Sequence, residues 1–287
     1  MRAAPLDAPF GARLLLEGDR PLTAEDRSEL TRLFAAHGLL VVRDGPITAE
    51  RQIELLAVFG RPEPDGTGRP MRMEVTNQHA SSSAPPGELV FHYDYAYDPA
   101  TIPVISMYGE VVASGATPTL FASSSTVLDR LPRSLVEDLR GRIASHACFL
   151  FRPDAPGVRS REPDPLIPRG APGWGPEHYW TRHPAIRRNA FGVETLFLCL
   201  QHTDRLHGMD RDESDERLAE IYAAMYAPEQ IYEHRWQPGD LVMWDNWTVQ
   251  HARPLPNDRP RTLRRYHVSE VDLTADYLRV GREKGYV

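Results

Sequence analysis

Two stretches of this chain carry side chains that could hold a metal ion. His92-Tyr93-Asp94 lies about a third of the way along, and His251 follows about 160 residues later. Two imidazoles and one carboxylate are the donor set that grips Fe(II) on one face and leaves the opposite face open. On an extended segment, side chains two apart point the same way, so His92 and Asp94 can share one ion while Tyr93 points away. The carboxylate offsets one of the metal's charges, and the imidazoles bind as neutral nitrogens. Taken alone, His-x-Asp is weak evidence. His202 with Asp204 repeats the spacing, and His37, His79, His146, His178, His183, His207, His234 and His267 lack it.

The residues around His251 strengthen the reading. Pro238-Gly239-Asp240 reads as a turn, Leu241–Trp244 as a buried strand, and Asp245-Asn246 as a turn before His251. Arg261, Leu263 and Arg265 follow on what alternation makes one face of a strand, with Arg264 on the other. A guanidinium near a metal can clamp a carboxylate with two parallel hydrogen bonds. Arg261 and Arg265 are therefore read as anion-binding, and Arg264 as solvated surface charge.

The elements that must position these groups are mostly strands. Thr23 caps a helix with Asp26 three residues on, and Leu30, Leu33 and Phe34 recur at helical spacing before Gly38 ends it. Leu39–Val42 reads as a buried strand, and a second helix runs from about Ala49 to Phe59 behind Thr48. Strands are expected over Met71–Thr76, Leu89–Tyr95, Val104–Val112, Thr119–Ala122, Leu196–Leu200, Tyr232–Trp236, Leu241–Trp244 and Arg261–Ser269. Further helical turns fall at Thr126–Arg130 and Ser134–Arg140, and a helix capped by Ser214 runs to about Tyr226. Residues 152–190 are rich in Pro, Gly, Arg and Asp without periodicity, and read as a loop closing over a pocket. No linker or repeat interrupts residues 1–287, so a single mainly β (α+β) domain with flanking helices is expected.

Composition narrows the partners. A hydrophobic content of 41% and a charged content of 25% are those of an ordinary globular protein. A net charge of -7 argues against nonspecific nucleic-acid binding. No apolar run approaches a membrane span, and Leu14-Leu15-Leu16 is too short for a signal-peptide core. Two cysteines are too few for a disulfide framework, so the cytoplasm is the expected location. The arginine-rich, lysine-poor usage reads as a GC-rich bacterial codon bias.

The same residues spell a wider pattern. Phe91-His92-Tyr93-Asp94, Gly115–Phe121, Trp180-Thr181-Arg182-His183-Pro184, Trp236-Gln237-Pro238-Gly239-Asp240, Trp244-Asp245-Asn246 and His251 through Arg265 resemble the TauD/TfdA (taurine dioxygenase-like) family. The resemblance covers roughly residues 30 to 270 and is most specific over Trp236–His251. It implies a double-stranded β-helix (jelly roll) core and an Fe(II)- and 2-oxoglutarate-dependent dioxygenase that also consumes O2. By that likeness His92, Asp94 and His251 match the iron ligands. Thr119 and Arg261 match the residues on the distal carboxylate of 2-oxoglutarate. Arg265 matches a second arginine that grips an anionic substrate group in several members, and the two arginines' roles could be exchanged. Two departures stand out: the spacing from His251 to Arg261 is one residue shorter than in some members, and Cys199-Leu200-Gln201-His202 replaces a common Asn-apolar pair. The presence of Asp94 argues against halogenation.

The implied reaction couples decarboxylation of 2-oxoglutarate to succinate with C–H hydroxylation of a small metabolite, in secondary metabolism or amino-acid-derivative modification. Candidate substrate contacts are Asn77, Gln78, Tyr93, Tyr95, Gln201, His202 and Arg265. Arg265 points to an anionic substrate, and Tyr95 with Tyr97 to an apolar portion. Desaturation, cyclisation or isonitrile formation at the same iron site is the alternative outcome. A non-catalytic jelly-roll binding module is the alternative from another class. Homo-oligomerisation is left open.

Overall fold

The computed structural model describes residues 1–273 apart from 17, 19, 44, 80, 81, 85, 86 and 149–179. In chain order its elements are β1 (Arg2–Pro5), β2 (Ala12–Leu15), α1 (Ala24–His37), β3 (Leu39–Val42), α2 (Ala49–Leu56), β4 (Met73–Thr76), β5 (Leu89–His92), β6 (Val104–Val112) and β7 (Thr119–Ser123). Then come a 3-10 turn (Thr126–Asp129), α3 (Arg133–Arg140), β8 (Ile143–Ala147), β9 (Trp180–Pro184), β10 (Ile186–Arg188), β11 (Glu194–Leu196), β12 (Thr203–Leu206) and α4 (Arg211–Met225). After a short 3-10 turn, β13 (Ile231–His234), β14 (Leu241–Asp245), β15 (Val249–Arg253) and β16 (Arg261–His267) complete the described chain.

Two sheets form the core. The larger has the order β1-β2-β3-β14-β6-β16-β4, and the smaller β13-β7-β15-β5. Leu39, Val41, Val242, Trp244 and Leu263 of the large sheet pack against Phe121 and Val249 of the small one. The alternate residues Leu40, Val42, Leu241, Met243 and Tyr266 face the opposite way, against Leu30, Leu33 and Phe34 of α1 and Leu55 and Leu56 of α2. Both faces of β3 and β14 are thus covered, which is why their sequences are continuously apolar rather than alternating. A separate core joins α3 and α4 to β8, β11 and β12.

Several local expectations hold in detail. Thr23 and Asp26 form a reciprocal capping box, Thr48 caps α2, and Gly38 closes α1 at φ 66°. Such a cap contributes about 1 kcal/mol. Others are corrected. Asp210, not Ser214, caps α4 by accepting the Glu213 N–H, while the buried Ser214 hydroxyl accepts from the Leu206 N–H. The strand expected over Leu196–Leu200 stops at Leu196, though Phe197, Leu198 and Cys199 remain fully buried. Strand β5 ends at His92 rather than Tyr95, because Tyr95 takes a left-handed φ of 57° and turns the chain.

The irregular stretch 152–190 is only partly described. Trp180–Pro184 pairs with β8, and Ile186–Arg188 with β11, so this end is sheet. The pocket-closing loop expected over the rest lies outside the described residues. Arg264 also differs from its reading as surface charge. Its side chain is buried, donates to the Gln52 Oε1, Glu110 Oε1 and Ile47 carbonyl, and stacks on the Tyr108 ring.

Candidate metal centre

His92 ends β5, His251 lies at the middle of β15, and the two are direct cross-strand partners. Their rings sit 4.2 Å apart. His251 shares the inner face with Phe121 and Trp244, whose ring centroids lie 6.5 Å and 5.0 Å away. Asp94 reaches the same place by a route that alternation along a strand does not describe, since it follows the end of β5. Asn246 fixes it there: the Asp94 N–H donates to Asn246 Oδ1, and Asn246 Nδ2 donates to the Asp94 and Ile102 carbonyls. The neighbouring Asp245 accepts from Asn189 Nδ2 and the Trp247 N–H, bracing the turn.

One donor atom from each of His92, Asp94 and His251 lies within 4.8 Å of the others. Asp94 Oδ1 is 3.3 Å from His92 Nε2 and 3.7 Å from His251 Nε2. Neighbouring ligands about 2.1 Å from an octahedral ion stand about 3.0 Å apart, so small side-chain shifts complete such a shell. His92 Nδ1 meets the Val90 carbonyl at 2.8 Å, which orients the ring with Nε2 toward Asp94. Burial, and after it the neighbouring His92, holds His251 well below its ordinary pKa, so its imidazole is neutral. Burial alone would raise the Asp94 pKa, but Arg265 and the two imidazoles outweigh it and keep the carboxyl well below its usual range. Two imidazoles beside one carboxylate fit a divalent ion of borderline hardness. Among the described residues no other cluster of three such side chains forms.

The arginines divide. Arg265 Nη2 contacts Asp94 Oδ2 at 2.6 Å. Arg261 is buried farther along the same face, and its Nη1 donates to the Thr117 carbonyl at 2.5 Å. Among the described residues it meets no carboxylate. Thr119 Oγ1 accepts from the Trp236 indole at 2.9 Å.

The expected substrate contacts also divide. Asn77 is occupied with the backbone before β16, donating to the Asn257 and Arg259 carbonyls and accepting from the Arg261 N–H. Gln78 is exposed and donates to Asn77 Oδ1. Tyr93 is fully buried, donates to the Leu196 carbonyl, and stacks on Phe197, so it faces the scaffold and not the metal centre. His202 stands beside the centre, its ring 6.0 Å from His92 and 5.0 Å from Tyr97. Burial, then the nearby His92, pushes its pKa down to about 3. Gln201 is its buried neighbour, and Tyr95 packs against Tyr97 and His267. Sequence reasoning passed over Asn246 as a clamp and Trp236 as the partner of Thr119, although both lie in the motif blocks; motif membership shows importance without showing what a side chain touches.

Comparisons with known proteins bear on family and fold. A family model described as "Taurine catabolism dioxygenase TauD, TfdA family" matches residues 2–267. Pentalenolactone F synthase of Streptomyces avermitilis is 30% identical over 193 residues, covering 65% of this chain and 62% of that protein, so the match spans under two thirds of its length. The (S)-phenoxypropionate/alpha-ketoglutarate-dioxygenase of Sphingobium herbicidovorans is 27% identical over 263 residues, covering 86% and 87%. Tyrosine isonitrile desaturase of Pseudomonas aeruginosa is 40% identical over 62 residues, 21% of each chain. The solved structure of AAD-2 with Mn(II) and N-oxalylglycine superposes with a TM-score of 0.74 at 22% identity, covering 94% of this chain and 97% of that one. That likeness bears out the mainly β jelly-roll fold.

Proposed function

This chain belongs to the TauD/TfdA family of 2-oxoglutarate-dependent dioxygenases, and on that premise we propose that it uses Fe(II), 2-oxoglutarate and O2 to hydroxylate a C–H bond of a small metabolite. The observation that carries the reading is the convergence of His92, Asp94 and His251 on one point inside the jelly roll. Fe(II) held by these three residues would supply the redox chemistry that couples O2 to decarboxylation of 2-oxoglutarate to succinate.

The chain's own residues bind and orient. His92 and His251 present their Nε2 atoms, and Asp94 presents Oδ1 while Arg265 retains Oδ2. Arg261 and Thr119 take the distal carboxylate of 2-oxoglutarate, a two-point grip that fixes the keto acid's direction. The apolar inner face around Phe121 and Trp244 keeps water from the reacting atoms. Tyr95, Gln201 and His202 face the substrate. No helix among the described residues is long and apolar enough to cross a membrane. Cys148 and Cys199 are both buried, and two cysteines are too few for a disulfide framework, which suits the reducing cytoplasm where we place the enzyme.

One observation favours a second outcome at the same site. The short match to tyrosine isonitrile desaturase is the highest in identity of those above, which supports desaturation of the substrate. A succinate-release screen across small anionic metabolites and amino-acid derivatives, followed by mass spectrometry, tests both. Gain of one oxygen supports hydroxylation, and loss of two hydrogens supports desaturation. Absence of keto-acid-dependent succinate release with every compound would favour a binding module instead. His92→Ala and Asp94→Ala should abolish succinate formation with the circular dichroism unchanged. Undiminished turnover in either variant would sink the ligand assignment.

A further inference from the structure

We infer that Arg253 is a second cationic contact for the distal carboxylate of the keto acid, and that it sets the preference for a dicarboxylic co-substrate. The inference rests on the proposed function and concerns a residue with no assigned role.

Arg253 closes β15, two positions after His251, so both side chains lie on the inward face of that strand. The β15–β7 register is regular, with His251 opposite Phe121 and Ala252 opposite Leu120. The next positions along the two strands are Arg253 and Thr119. Its Nε donates to the Gly87 carbonyl at 2.9 Å, so the side chain is anchored before any ligand arrives. Arg261 reaches the same region from β16 through its contact with the Thr117 carbonyl.

Arg253 and Arg261 are both buried, at 5% and 3% exposure. Arg261 is lowered to about 10, by burial first and by the Arg253 charge second. Two cations so placed repel in a medium that screens them poorly, and an anion between them relieves both. A carboxylate offers about four lone-pair positions, enough for two guanidiniums and one hydroxyl. Because Thr119 Oγ1 already accepts the Trp236 indole proton, its own proton is available to an anion. A keto acid ending in a methyl group gains nothing from this cluster. The arrangement therefore discriminates by the charge at the far end of the co-substrate.

Titration calorimetry on the Mn(II)-loaded protein tests this with two probes, 2-oxoglutarate and 2-oxopentanoate, which share the chelating end and differ at the far one. Arg253→Gln should weaken 2-oxoglutarate binding roughly tenfold or more, the usual loss for a hydrogen bond to a charged group. It should leave 2-oxopentanoate binding unchanged, so the preference collapses. Arg253→Lys keeps the charge but loses the fork, and should reduce the preference severalfold; it serves as the readout if the Gln variant does not fold. Equal weakening of both keto acids, or no change in either, would show that Arg253 has a purely structural role and would overturn the inference. Failure of the unaltered protein to bind either keto acid would overturn the proposed function instead.

Discussion

Arg265 and Asp94 form an ion pair in which Nη2 meets Oδ2 at 2.6 Å, while the other carboxylate oxygen stands 3.3 Å from His92 Nε2. The arginine thereby sorts the two oxygens of one carboxylate, one held by a guanidinium and one turned toward the imidazoles. A side chain so engaged would act on a metal held at this site through Asp94.

Arg265→Gln should weaken Mn(II) binding about 10- to 100-fold, the usual cost of losing an orienting partner behind a metal ligand. Metal titration followed by calorimetry checks this. Unaltered metal affinity, with only the substrate KM raised, would make Arg265 a substrate anchor instead.

Arg261→Gln should raise the KM for 2-oxoglutarate at least tenfold and leave the substrate KM within about twofold. The buried guanidinium meets only carbonyl oxygens among the described residues, so it is held in place with its charge uncompensated. If the substrate KM moved alone, Arg261 and Arg265 would have to exchange assignments.

Arg264→Met should cost about 3 kcal/mol of stability, because the buried Gln52 Oε1 and Ile47 carbonyl lose their donor. Urea denaturation reads this directly. Arg264 faces the helices, away from the inner face, so keto-acid affinity should stay within about twofold. A tenfold loss of that affinity would show that the two faces are coupled.

Acid should destabilise the fold between about pH 6.5 and 4. Burial, and then Arg187, lowers His183 to about 4, and burial lowers His202 to about 3. In the unfolded chain both histidines take up protons below about 6.5, so falling pH favours unfolding. Asp245 works in the opposite sense. Burial raises it to about 6, so its contribution is present below about 4 and is lost as pH rises through 6. Together the three groups should remove on the order of 3 kcal/mol across the window. His183→Gln should flatten the dependence of unfolding free energy on pH. A slope as steep as that of the unaltered protein would contradict the assignment.

The meeting of His92, Asp94 and His251 was legible because their side-chain types and spacing are unusual together, and a coordination shell would constrain both. The route by which Asp94 arrives was not, since a tyrosine at φ 57° is a conformation that local propensity argues against. Arg264 was misread for a different reason. Alternation tells which face a residue occupies but not whether that face is covered, and here α2 and Glu110 enclose it. Asp210 and Ser214 are both good caps, and only the chain's approach from β12 decides between them. Tyr93 looked like a pocket residue by its neighbours in sequence. It lies just past the end of β5, and its ring turns away from the centre, against Phe197.

The pairing of His92 with His251 has a consequence for cohesion. Strand β5 is the outermost of its sheet among the described residues, and its ladder to β15 is interrupted by a register shift. An ion gripping both imidazoles would rivet this loosely hemmed border to the interior. The amides of Leu89–His92 should then exchange with deuterium far more slowly once Mn(II) is added, and the protein would sense its own loading as a stiffening of one seam.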